Sequence, residues 1–324
     1  MNYNENNENS MEEKMSIMMV VPCYNEAEVL PLFMEEMGQV KKKLKRKLEI
    51  LFINDGSSDN TLEMLREYSK EEGIYYLSFS RNFGKEAAMY AGLSHANAEY
   101  IGVMDADLQH DPIALLEMEK YLDEGYDVAA TKRSSRLETS KFYNFGAGGF
   151  YKIINGLSDD IELEAGVQDF RMMKKNVVDA IVSLGEKSRF SKGIFSWVGF
   201  NIKYIEVADR PREAGTTKWS FSQSFRYAID GIISFSISPL RIATYLGASI
   251  SLLGFIYAIY VMVTTLTKGA QTAGFATIVC LILILGGFNL LFLGLIGEYI
   301  GRIYKETKDR PIYLIGEKNL KEDN

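Results

Sequence analysis

Residues 100–109 read Tyr100-Ile101-Gly102-Val103-Met104-Asp105-Ala106-Asp107-Leu108-Gln109. The first half is an apolar run with the length and composition of a buried strand; the second half turns acidic at once. In extended chain, residues two apart face the same side, so Asp105, Asp107 and Gln109 can converge on one ion. Hard oxygen donors of this kind suit Mg2+ or Mn2+, above all where phosphate oxygens complete the shell. Acidic residues at a strand end also serve simply to solvate a turn, and both uses remain open at this point.

The pattern continues on either side. Ile17–Val21, Ile50–Ile53, Tyr75–Phe79 and Val128–Ala130 are further short runs rich in β-branched or aromatic residues. Amphipathic stretches of helical length separate them, at Glu26–Lys43, Asp59–Glu72, Lys85–Ala96 and Pro112–Glu124. Strand and helix in alternation predict an α/β domain, Rossmann-like, with a mostly parallel sheet covered on both faces. Phe200–Val207 reads as one more strand. Ligands of such sheets bind beyond the carboxyl ends of the strands. There the first strand runs into Pro22-Cys23-Tyr24-Asn25-Glu26 and the second into Asn54-Asp55-Gly56-Ser57-Ser58-Asp59. A tyrosine can stack on a base and carboxylates can accept from ribose hydroxyls. Turn and cap chemistry accounts for the same residues, with Gly56 in a turn and Ser58 or Asp59 capping a helix. The basic stretch Lys41–Lys47 reads as a solvated helix end.

Composition restricts the function. The chain has 324 residues, 36 Lys and Arg against 43 Asp and Glu, and a formal charge of −7. An acidic balance argues against a general nucleic-acid binder. Two cysteines far apart, Cys23 and Cys280, make no disulfide scaffold or zinc site, and two histidines exclude a multi-histidine metal centre. Two runs of 25 residues, Ile242–Leu266 and Ala273–Gly297, carry no charge. About 20 such residues cross a bilayer core as a helix, so a two-span, multi-pass protein of the cell membrane is expected. Arg210, Arg212, Lys218, Arg226 and Arg241 precede the first run, and Arg302, Lys305, Lys308 and Arg310 follow the second, while the connector holds only Lys268. By the positive-inside rule the large domain and both termini are cytoplasmic. The polar, acidic residues 1–15 have no signal-peptide character and are expected to be disordered. The expected divisions are thus 1–15, a catalytic-type domain over 16–218, an amphipathic juxtamembrane segment over 219–241, a transmembrane hairpin over 242–297 and a cytoplasmic tail over 298–324. Phe221, Phe225, Ile229 and Ile232 stand at helical spacing in the juxtamembrane segment, suiting a helix on the membrane surface or one facing a core.

Further basic and acidic groups fall at Thr131-Lys132-Arg133, at Gln168-Asp169-Phe170-Arg171 and at Arg212-Glu213-Ala214-Gly215-Thr216-Thr217-Lys218. The last, basic at both ends and small in the middle, suits a loop closing over phosphates, and equally a positive-inside signal. These segments, with Pro22–Glu26, Asn54–Ser57, Asp105–Gln109 and Ser80-Arg81-Asn82-Phe83-Gly84-Lys85, occur in the order seen in family 2 glycosyltransferases. The chain most resembles their polyprenyl-phosphate branch, which includes dolichol-phosphate mannose synthases and bacterial undecaprenyl-phosphate glucosyltransferases of the GtrB type. The resemblance covers about residues 16 to 310.

The resemblance implies a GT-A fold that moves a sugar from a nucleotide sugar to a polyprenyl phosphate with inversion, at the cytoplasmic membrane face. It places Pro22, Tyr24, Glu26, Ile53 and Asp55 at the nucleoside, Ala106 at the donor, and Asp105, Asp107 and Gln109 on Mg2+ or Mn2+. It places Arg133, Arg212 and Lys218 at phosphates, and leaves Asp169 to orient the acceptor, bind arginines or act as base. Glucose or N-acetylglucosamine from a UDP-sugar is the expected donor group, with transfer from GDP-mannose or a non-catalytic membrane scaffold as the alternatives, and a homo-oligomer is left open. A QxxRW motif, the mark of processive synthases, is absent from the sequence, and no GxGxxG opens the first βα turn.

Overall fold

The computed structural model describes residues 16–134, 155–156, 158, 161–208, 231–268 and 274–320. Strands β1 (Ser16–Cys23), β2 (Lys47–Asn54), β3 (Ile74–Phe79), β4 (Tyr100–Val103) and β5 (Val128–Arg133) alternate with helices α1 (Leu30–Lys41), α2 (Thr61–Tyr68), α3 (Lys85–His95) and α4 (Ala114–Asp123). Next come β6 (Val167–Lys174), α5 (Lys175–Ser183), α6 (Ser191–Trp197) and β7 (Ile202–Val207). The chain continues as α7 (Ser238–Lys268) and α8 (Phe275–Thr307) and ends on β8 (Ile315–Lys318).

Among the described residues the sheet has eight strands, in the order β7-β5-β6-β4-β1-β2-β3-β8. β1 lies parallel to β2 and β4, β3 to β2, and β7 to β5, while β6 runs antiparallel between β4 and β5. The mostly parallel α/β fold expected from the alternation is therefore present. Successive residues of β1 serve opposite faces, as the pleat requires. Ile17, Met19 and Val21 pack with Phe33 and Met37 of α1, Leu65 of α2 and Leu115 and Met118 of α4. Met18 and Val20 pack with α3, α5 and α6 through Ala88, Val177 and Ile194. β6, α5, α6 and β8 are elements that the hydrophobic pattern did not announce.

Two glycines set how closely parts approach the site end of this sheet. A Cβ on Gly92 would overlap Val20 Cγ1 and press on Ile53, so α3 lies flush against β1 and β2 only without a side chain there. Gly56 has φ +64°, and a Cβ on it would meet the Arg81–Asn82 backbone, so the loop after β2 crosses the loop after β3 with no room between.

The basic stretch departs from its expected solvated state. Lys41 closes α1 and Lys47 opens β2, but Arg46 between them turns inward at the end of the sheet where β2 and β4 begin. Its guanidinium lies 2.9 Å from Glu99, 3.3 Å from the buried Glu119 and 2.8 Å from Asp123, and over the Tyr100 ring at 4.3 Å. The charge run hid one structural arginine among solvated lysines.

Within the expected tail, α8 runs to Thr307 and the chain then returns to the sheet. β8 pairs antiparallel with β3, Glu317 takes a bidentate ion pair from Arg66 at 2.6 and 2.9 Å, and Tyr313 stacks on Phe79 at 5.1 Å. Tyr299 donates to the Ser236 carbonyl at 2.8 Å, and Glu306 accepts from the Lys187 and Ser188 amides at 2.9 and 3.2 Å. α7 and α8 contain stretches long and apolar enough to cross a membrane, Ser238–Thr267 and Ile284–Thr307, whose side chains are not buried in the protein. The segment 209–230, which holds most of the expected juxtamembrane helix, lies outside the described residues.

Substituting Gly92→Ala is expected to destabilise the protein by about 1–3 kcal/mol, because overpacking against Val20 outweighs the gain in helix propensity. Thermal unfolding in detergent checks this; an unchanged or raised midpoint contradicts it.

Candidate active site

The carboxyl ends of β1, β2, β4 and β5 and the amino end of antiparallel β6 lie at one end of the sheet. That topology gathers Pro22, Tyr24, Glu26, Asp55, Asp105, Asp107, Gln109, Arg133 and Asp169 at that end. The loops after β1 and β2 are laced together. Asn25, in a left-handed turn at φ +54°, donates its amide to Ser57 Oγ at 3.0 Å and accepts from the Ser58 amide at 2.8 Å. Asp59 accepts from the Thr61 amide and hydroxyl at 3.0 and 2.6 Å, so it braces the start of α2 from one residue before the N-cap, which is Asn60 rather than the expected Ser58 or Asp59. Burial pushes its carboxyl up, but these bonds outweigh that and hold it below the usual carboxylate range. Tyr24 is exposed, as a stacking platform must be, whereas Ile53 is wholly buried beneath α3 and gives its side chain to the core.

Asp55 faces the other way. Its carboxylate accepts from the Phe83 amide at 2.6 Å and the Gly84 amide at 2.9 Å, fixing the loop that leads into α3. Burial pushes its pKa above the ordinary aspartate value in spite of those two bonds. Lys85 follows directly as the first residue of α3. Its Nζ lies 2.8 Å from Asp105 Oδ2 and 2.7 Å from Asp169 Oδ2, bridging the two.

β4 and β6 pair antiparallel as far as Val103 opposite Arg171, and Asp105 and Asp169 each lie two residues beyond that last pair, past the end of the ladder. Like charges so close are destabilising, and Lys85 offsets them. Burial pushes Asp169 up, but Lys85, aided by the charges of Lys192 and Arg171, holds it well below the usual carboxylate range. The pair in turn outweighs burial at Lys85 and raises it above the ordinary lysine value. Glu86, beside Lys85, is a half-buried carboxylate that accepts from the Ser191 amide at 3.0 Å and from its hydroxyl, so α3 is pinned to the start of α6. Arg171 is buried with its guanidinium 3.7 Å from the Phe195 ring and donates to the Asp169 and Gln168 carbonyls at 3.2 and 2.9 Å. Burial lowers its pKa to about 10, so it remains charged at neutral pH.

Across 105–110 burial alternates, with Asp105, Asp107 and Gln109 half-buried and Ala106, Leu108 and His110 buried. The period-two expectation thus describes a bent segment rather than a strand: Leu108 has φ +55°, and Asp107 Oδ1 accepts from the Gln109 amide at 3.2 Å. The half-buried donors are all hard oxygens, which fit Mg2+ or Mn2+. Among the described residues no cluster of three or more His, Cys, Asp or Glu side chains could hold a metal, so this set needs ligand oxygens from outside the protein. His110 stacks on Phe170 at 5.7 Å, and burial lowers its pKa against the pull of nearby carboxylates. Arg212 and Lys218 lie outside the described residues. Lys85, Glu86, Arg171 and His110 were assigned no role from the sequence; the one signal for Lys85 was its place at the end of Ser80–Lys85.

Residues 18–182 match Glycosyl transferase family 2, and residues 238–303 match the GtrB C-terminal hairpin. CsbB of Bacillus subtilis (strain 168) is 45% identical over 305 residues, 94% of this chain and 92% of that protein. The bactoprenol glucosyl transferase of Shigella phage SfX is 39% identical over 304 residues, covering 93% of this chain and 99% of that protein. A prophage bactoprenol glucosyl transferase homolog of Escherichia coli (strain K12) is 40% identical over 304 residues, 93% of this chain and 98% of that protein. The fold is a mostly parallel α/β sheet with acidic and basic groups gathered at one end, and the family match makes it that of a transferase. The chain belongs to glycosyl transferase family 2, and it is an enzyme of that class.

Asp169, with its lowered native pKa, contributes stability that is fully present above the ordinary aspartate value of about 3.9 and is lost as pH falls through the native value. Thermal melts at pH from about 7 down to about 2 should therefore show a steeper acid decline for the wild type than for Asp169→Asn. Parallel declines contradict the assignment.

Proposed function

We propose that this protein transfers a hexose, glucose or N-acetylglucosamine, from a UDP-sugar to polyprenyl phosphate at the cytoplasmic face of the membrane. The observation that carries the proposal is similarity at about 40% identity, over nearly the whole chain and through the hairpin, to proteins named bactoprenol glucosyl transferase. The geometry supports it chemically. Tyr24 and Glu26, with Pro22 beside them, suit a nucleoside at the ends of β1 and β2, whereas Ala106 buries its side chain in the core and could meet a donor only through its backbone.

Asp105, Asp107 and Gln109 would hold Mg2+ or Mn2+, which when bound neutralises charge building on the departing diphosphate. An oxygen of the lipid phosphate forms the new bond to the anomeric carbon while the bond from that carbon to the diphosphate oxygen breaks. The diphosphate leaves with the bonding electrons, and the configuration inverts. A phosphate monoester has a second pKa near about 6, so at neutral pH the acceptor is already largely anionic and needs little help from a base. What it needs is positive charge beside an acidic cleft, the role that the resemblance gives to Arg133, Arg212 and Lys218. Asp169, kept ionised by Lys85, orients that lysine rather than removing a proton in this account.

Topology follows from the return of the chain. The strand after the hairpin pairs with β3 of the sheet that precedes the hairpin, so two crossings bring the chain back to the side it left. With the basic flanks, that side is the cytoplasm.

Purified protein incubated with undecaprenyl phosphate, Mg2+ or Mn2+ and radiolabelled UDP-glucose, UDP-N-acetylglucosamine or GDP-mannose should label the lipid from one UDP-sugar. Asp107→Asn should lower the rate by at least about 100-fold. No labelled lipid with any donor overturns the proposal, and label only from GDP-mannose replaces the donor.

A further inference from the structure

Lys85 is held as a component of the site rather than as a surface lysine. The residues before it are fixed by the Asp55 carboxylate through the Phe83 and Gly84 amides. The residue after it is fixed by the bonds of Glu86 to Ser191. Between these anchors its ammonium reaches Asp105 at 2.8 Å and Asp169 at 2.7 Å. Asp105 is also one of the few hard donors available to a divalent cation. An ammonium and a dication cannot both sit at contact distance on the same carboxylate oxygen without strong repulsion. The donor set is itself sparse, two carboxylates and one amide, whereas Mg2+ asks for an octahedron of oxygens and routinely takes some of them from phosphates.

We infer that Lys85 is a built-in monovalent plug of the metal site, which makes capture of the divalent cation conditional on the nucleotide diphosphate. The protein alone offers the cation a carboxylate already neutralised by an ammonium. The diphosphate brings both the missing oxygen ligands and the negative charge that lets a dication displace Lys85 from Asp105. The displaced ammonium keeps its second partner, Asp169. This inference rests on the metal and nucleotide reading of the site proposed above, and it deepens that reading by giving the two ligands a thermodynamic coupling carried by one residue.

Mn2+ binding to the full-length protein in detergent, followed by the electron paramagnetic resonance signal of free Mn2+, tests it without reference to turnover. Titrations are run alone, with UDP and with GDP, on the wild type, Lys85→Met, Lys85→Arg and Asp107→Asn. Lys85→Met is expected to bind Mn2+ alone about tenfold tighter than the wild type, and to gain correspondingly less from the nucleotide. Lys85→Arg, which keeps the charge, should behave as the wild type. Lys85→Gln carries the same comparison if the Met variant fails to fold. Lys85→Met or Lys85→Gln binding Mn2+ no tighter than the wild type overturns the plug while leaving the metal site standing. Wild-type and Asp107→Asn proteins that bind Mn2+ alike in the presence of nucleotide overturn the underlying site instead.

Discussion

The ammonium of Lys85 between Asp105 and Asp169 is the interaction on which the rest of the site depends. Asp105 and Asp169, each two residues beyond the last β4–β6 pair, are both within contact of Lys85 at the cleft. Two unit charges about 5 Å apart repel by about 3 kcal/mol at an effective dielectric near 20, an upper bound in a cleft open to water. A single lysine removes that repulsion, and the fold invests several features in delivering it. Gly92 lets α3 lie close to β1, Gly56 lets the two preceding loops cross, Asp55 grips the turn, and Glu86 pins the first turn of α3 to α6.

The same logic links the catalytic domain to its hairpin. The loop that carries Lys85 leaves β3, and β8, the strand that follows α8, pairs with that same β3. The Ser80 amide donates to the Leu314 carbonyl at 3.0 Å, and Tyr313 packs on Phe79 and on His95 of α3. The chain that emerges from the apolar helices therefore braces the segment that positions the bridging lysine. Arg46, with Glu99, Glu119 and Asp123, performs a comparable task at the opposite end of the sheet, where α4 meets the start of β2.

The parts legible in the sequence are those governed by local periodicity. β1 to β5 and the helices between them declare themselves because their burial follows a simple apolar run or an amphipathic stripe. β6 escapes that test because Gln168, Asp169 and Arg171 interrupt its apolar residues, and two of these have partners distant in sequence, Lys85 for Asp169 and Phe195 for Arg171. β8 escapes it because it has only four residues and follows the apolar hairpin. Lys85 at a helix start and Arg46 in a run of lysines both read as solvated charge, since a side chain's partners across the fold leave no mark on its neighbours in the chain. The acidic segment Asp105–Gln109 was legible as a pattern, but its link to Asp169 through Lys85 depends on a strand that the pattern did not reveal.

Diffraction from crystals of the full-length protein grown with UDP and Mn2+, with anomalous data at the manganese edge, tests the central claim most directly. The account predicts a manganese peak at coordination distance from the Asp105 and Asp107 carboxylates, with Lys85 Nζ withdrawn from Asp105 and still on Asp169. A peak remote from these aspartates, or a bound manganese with Lys85 still seated on Asp105, would contradict it.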